Sequence, residues 1–161
     1  MQRTITIAIS FLLSGLLGCN EQPPELQGDK KSGLSKATKT DWLDLQNDTE
    51  PALWLLAREK ANGSSTDLRT MRQTLATASI RFGESSRMIA NRAVQLEKML
   101  QPLGGRETAV FLVVKLTSAV DAANKTPGFG TIGEYYYNLR KAGFTGQQAL
   151  EDLSKHYGKH D

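Results

Sequence analysis

His156 and His160 stand four residues apart, with Asp152 four before them. On one helix the three would share a face, a spacing suited to zinc or copper. Gly158 interrupts that run, so we assign no metal centre to it. The sole cysteine, Cys19, ends an apolar stretch. No Ser/His/Asp order, phosphate-cradling glycine loop or paired-carboxylate motif stands out elsewhere. Ser64-Ser65 and Ser85-Ser86 read as loop, cap or helix-surface serines. The expectation is a protein that is not an enzyme and has neither cofactor nor metal.

Two groups of residues could instead make contacts. Arg69, Arg72, Arg81, Arg87, Arg92 and Lys98 outnumber Glu84 and Glu97 on the outer positions of the 67–100 segment. That pattern is either a solvated helical face or a surface for an acidic partner or anionic headgroups. Tyr135, Tyr136 and Tyr137 are consecutive, with Phe129 and Trp54 the aromatics expected nearby. Neighbouring helical positions lie about 100° apart, so the three cannot all be buried. They either pack the core with hydroxyls at the surface or form a contact patch, as exposed tyrosines and arginines do at interfaces. The candidate partner-binding set is Arg69, Arg72, Arg81, Arg87, Tyr135, Tyr136 and Tyr137.

Residues 1–18 say where such a protein works. Arg3 precedes an uncharged run, Ile5 to Gly18, that ends Leu16-Leu17-Gly18-Cys19. This is the layout of a secretory signal, and it is shorter than the roughly 20 apolar residues a spanning helix needs. The segment resembles the signal peptide and lipobox of a bacterial lipoprotein. Leu17 departs mildly from the usual small residue. The resemblance implies cleavage before Cys19, a diacylglyceryl thioether on its sulfur and acylation of the new amine. Two or three acyl chains anchor a protein stably where one does so marginally. Asn20 after the cysteine is similar to lipoproteins sent to the outer membrane, so the expected location is periplasm-facing, outer membrane ahead of inner.

Gly83-Glu84-Ser85 resembles the Glu-Ser at the catalytic acid of soluble lytic transglycosylases. A buried glutamate with a raised pKa could serve there as general acid. No Gly-Leu-Met-Gln segment follows, and Glu84 is expected on an outer helical position.

Cleavage leaves 143 residues and a net charge of +2, against +3 for the whole chain. That suffices for one domain with a core and is too weakly basic to imply nucleic acid. With Cys19 lipidated no thiol is left for disulfides or thiol catalysis. Residues 19–40, rich in proline, glycine, lysine and polar side chains, read as a flexible tether. The folded domain is placed at 41–161, beginning with Trp42, Leu43 and Leu45 as a helical turn or docking segment.

Within it the pattern predicts an all-α, single helical bundle. Pro51 opens a helix over about 50–61, closed by Asn62-Gly63. A seven-residue repeat, Leu68, Leu75, Phe82, Ile89 and Leu96, runs without proline from 67 to 100 and keeps phase across Gly83. It predicts one long central helix of about 51 Å, capped by Thr66 or Asp67. Arg92 falls on its seam, at a wet end or beside a carboxylate of another element. The apolar run 107–124 is valine-rich but long, and reads as a buried helix. Thr131/Glu134 and Thr145/Gln148 fit capping boxes opening helices over 131–142 and 145–157, closed by Gly143 and Gly158.

The function these features suggest is a lipid-anchored interaction or scaffold protein. Its architecture resembles pilotins and accessory subunits of secretion or conjugation systems. It would be held in the membrane through Cys19 and bound to an envelope protein, as monomer or homodimer. An immunity or exclusion-type inhibitor lipoprotein is the alternative, and a cell-wall-active enzyme is third.

Overall fold

A computed structural model describes residues 42–46, 48–59, 66–121 and 127–158. The expected signal peptide, tether, Asn62-Gly63 stop and His160 lie outside these residues. Among the described residues the fold is all-α, with no strand. Six helices follow one another: α1 Pro51–Glu59, α2 Leu68–Phe82, α3 Ser86–Leu100, α4 Ala109–Ala119, α5 Phe129–Lys141 and α6 Gly146–Tyr157. A 3₁₀ turn, Gln101–Leu103, follows α3.

The single long helix over 67–100 is not what forms. Gly83 ends α2 in the left-handed region at φ +65°, and Ser85 starts α3 by accepting the Met88 amide at 3.2 Å. A left-handed glycine followed by an N-cap serine is a stop and a restart. The seven-residue repeat survives because Phe82 and Ile89, either side of the break, both reach the core. A repeat in phase therefore reports shared burial and not helical continuity.

The start of α2 is as expected, with Asp67 accepting the Thr70 amide at 2.9 Å. Of the 107–124 segment, Ala109–Ala119 forms a helix with Thr108 as its cap, and 122–124 lie outside the described residues. Val110, Leu112, Val113 and Leu116 are all buried, and α4 packs against each of the other five helices. That central role explains its valine content, since a helix covered on most sides is chosen for packing before propensity.

Two starts differ in kind. Thr145 and Gln148 form the capping box at α6. Thr131 and Glu134 form none, because α5 begins earlier, at Phe129 with Gly128 as its cap. Phe129 is buried edge-on against Phe82, ring centroids 5.3 Å apart, and this contact draws the helix start two residues back. Gly143 closes α5 at φ +93°, with the Phe144 amide bonded back to the Leu139 carbonyl at 3.1 Å. Gly158 caps α6 in an extended conformation instead. The segment before α1 docks through Leu43, which is 1% exposed.

Candidate functional site

The arginines do not make one outward basic face, because the break at Gly83 divides them between two helices. Arg72 binds Glu50 through two hydrogen bonds, 2.5 and 2.7 Å. Those bonds hold the Glu50 carboxyl below its ordinary range. Arg81 donates to the Thr117 carbonyl on α4, and Arg87 to the Asp44 carbonyl. Arg92 pairs with Glu84 in the α2–α3 turn, so its carboxylate partner is the one that holds. Arg69 is exposed on α2. Three of the four candidate arginines thus join elements of the bundle.

The tyrosines separate as helical geometry requires, yet none is fully exposed. Tyr136 is wholly buried and donates to Glu107 Oε1 at 2.9 Å. Arg140 Nε donates to the same oxygen at 2.8 Å, and its other arm reaches the Phe144 carbonyl at 2.6 Å. Burial first, then the bond to Glu107, pushes the Tyr136 phenol well up. Burial would raise Glu107 too, but its own backbone N–H, Tyr136 and Arg140 outweigh that and bring it below its ordinary value. Tyr135 is half-buried and donates to Asp152 Oδ1 at 2.5 Å, which pushes its phenol up to about 12. Its ring meets Tyr157 edge-on and lies 5.6 Å from the His156 ring. His156 therefore belongs to a tyrosine–aspartate cluster. Among the described residues no three His, Cys, Asp or Glu are placed to hold a metal ion. Trp54, one of the two aromatics expected near the tyrosines, carries Arg58 at 5.2 Å over its ring.

Four glutamates, none of them on the helix they serve, gather at helix starts. Glu84 lies against Gly128 at the start of α5, where a Cβ would collide with its carboxylate. Glu107 reaches Gly146 at the start of α6 in the same way, 3.1 Å from a Cβ there. Glu97 accepts the Ala109 amide at the start of α4, and Glu59 accepts the Thr108 hydroxyl at 2.7 Å. Negative charge is favourable at these positive ends. Glu84 is therefore neither on an outer helical face nor free: it is largely buried in the α2–α3 turn and tied to Arg92.

Glu59 and Glu97 were not visible in the sequence as a pair. They lie far apart in the chain and meet only through the α1, α3 and α4 packing. Burial raises Glu97, Glu59 adds to that, and Arg58 and the Ala109 amide oppose it. The only local hint is Arg58-Glu59 at the end of α1.

A groove of about 410 Å³ lies between α3 and α5. Leu96, Met99, Phe129 and Tyr137 give it apolar walls, and Arg92, Gln95, Glu134 and Asn138 give it polar edges. Gly130 and Gly133 let the helices approach: a Cβ on Gly133 would sit 3.2 Å from Leu96 Cδ2, and one on Gly130 2.8 Å from Arg92 Nη1. Of the candidate residues only Tyr137 lines this groove. Arg81 lines a smaller, hydroxyl-rich depression between α2 and α4 with Thr70, Thr74, Thr77 and Thr117.

The family model named MoxZ matches residues 52–158. The chain belongs to the MoxZ family. No curated protein matches it, and no solved structure does. The MoxZ match runs from the first turn of α1 to the cap of α6, so it contains the groove and all four helix-start glutamates. Trp42 and Leu43, like Cys19, precede it.

Proposed function

We propose that this MoxZ-family chain is a lipid-anchored, periplasm-facing protein that acts by binding and not by catalysis. Its α3–α5 groove would receive a segment of an envelope partner. The observation that carries the reading is the groove's make-up. Half-open Met99 and Tyr137 offer adaptable and rigid apolar contacts, and a rim of Gln95, Glu134 and Asn138 offers hydrogen bonds. The lipobox-like Leu16-Leu17-Gly18-Cys19 supports anchoring through Cys19, and Asn20 supports the outer membrane. Among the described residues no helix is long and apolar enough to cross a membrane. An accessory subunit of a secretion or conjugation system is the class of machine this architecture suits.

Photo-crosslinkers placed in living cells at Met99 and Tyr137, with Ala76 on α2 as a control, test the reading. It requires one discrete adduct from both groove positions and none from Ala76. Equal labelling from all three, or none at the groove, contradicts it.

A further inference from the structure

Residues 42–46 are held to α3 by an unusual clamp. Asn91, itself 4% exposed, accepts the Leu43 amide at 2.8 Å and donates to the Leu43 carbonyl at 3.1 Å. One amide side chain thereby satisfies both backbone groups of a buried residue, as a neighbouring strand would. A turn earlier on α3, Arg87 holds the Asp44 carbonyl. With Leu43 inward and its backbone fixed, Trp42 and Leu45 are turned out, 56% and 85% exposed. Met88, beside Arg87 on α3, is 45% exposed.

We infer that Trp42 and Leu45 form a membrane-interface contact that seats the domain on the bilayer holding its own lipid. The inference rests on the anchoring reading above. Trp42 stands 23 residues after Cys19, so the covalent chain keeps it within about 80 Å of the lipid even at full extension. A surface confined this close meets the bilayer at high effective concentration, so weak contacts suffice. Tryptophan suits the water–lipid boundary, with an apolar ring and an N–H that stays wet. Asp44 spends its carboxylate on the Leu45 amide at 2.6 Å, and Arg87 lies beside it. The patch is therefore close to neutral and its binding should be insensitive to salt, unlike that of a basic patch. Seating would also fix which way the α3–α5 groove faces.

The test uses full-length protein extracted from membranes and reconstituted into vesicles of phosphatidylethanolamine and phosphatidylglycerol with brominated acyl chains. Trp54, 4% exposed, is the internal reference, and Trp42→Phe isolates the Trp42 signal. Mass spectrometry of the Cys19 peptide reads the anchor separately. The inference predicts a lipidated Cys19 and bromine quenching of Trp42 emission that Trp42→Phe removes and added salt leaves unchanged. Lipidated Cys19 with unquenched Trp42 overturns the inference and leaves anchoring standing. Trp42 shielded from acrylamide in native membranes yet unquenched by bromine would also overturn it, giving the patch to a protein. An unmodified Cys19 would remove both.

Discussion

Asn91→Ala separates a clamp from an incidental contact. The change leaves the Leu43 amide and carbonyl without partners, while Leu43 itself is 1% exposed. Each buried backbone group left dry costs about 1–3 kcal/mol, so both together would cost about 2–6 kcal/mol if the segment stayed in place. It need not stay. Residues 42–46 precede α1 and can leave α3, giving up the burial of one leucine, about 1.5–3 kcal/mol, and wetting both groups. The escape caps the local cost at about 1.5–3 kcal/mol, which is a factor of roughly 10–150 in an opening equilibrium. Hydrogen exchange of the Leu43 amide should accelerate by that factor, while amides in α4 slow or quicken far less. Urea unfolding should show a smaller shift, since the six-helix core keeps its own packing. Wild-type exchange at Leu43 in the variant would refute the clamp. So would equal acceleration at Leu43 and in α4, which would mean that Asn91 holds up the whole bundle.

Three further outcomes follow from the same geometry. Gly83→Ala should cost about 1–2 kcal/mol by urea unfolding, from the left-handed backbone alone, because nothing lies within 4 Å of the new Cβ; a neutral result would mean α2 and α3 can fuse. Glu107→Gln and Glu97→Gln should act with opposite signs. Glu107 has a folded pKa below 4.5, so its stabilisation is present at about pH 7 and lost as pH falls through that folded value. Glu97 lies above 4.5, so its contribution is present in acid and lost as pH rises through its folded value. At about pH 7 Glu107→Gln should therefore lower Tm and Glu97→Gln raise it, both differences shrinking toward acid; shifts of the same sign would contradict the assignment. Gly146→Ala should destabilise α6 docking by crowding the Tyr136 hydroxyl and Glu107, and Tyr136→Phe should recover part of that loss in thermal unfolding.

Local rules carried the reading of the chain where one residue decides the outcome. Asp67, the Thr145 box and Gly143 are each set by a backbone need within one turn, and each stands where expected. Elsewhere a distant contact overrides the local signal. Phe129 reaching Phe82 moved the α5 start and left Thr131 inside the helix. The repeat through Phe82 and Ile89 recorded two helices sharing a core, although Gly83 and Ser85 carried the break in plain view. Arg92 on the seam did signal a carboxylate, which proved to be Glu84. The groove was hardly legible at all. It needs the approach of Gly130 and Gly133 to Arg92 and Leu96, and of its walls only Tyr137 belongs to the candidate partner-binding set. The Glu59–Glu97 pairing needs three helices to meet, which no spacing in the sequence expresses.

The most direct test of the binding account is co-purification from native membranes of the wild type and of Asn138→Trp. Asn138 is an exposed helical position on the groove rim, so an indole there fills the groove and spares the core. One envelope protein should be recovered in stoichiometric amount with the wild type and lost with Asn138→Trp, at unchanged circular dichroism and Tm. The same proteins recovered with both, or nothing recovered with either, would contradict it.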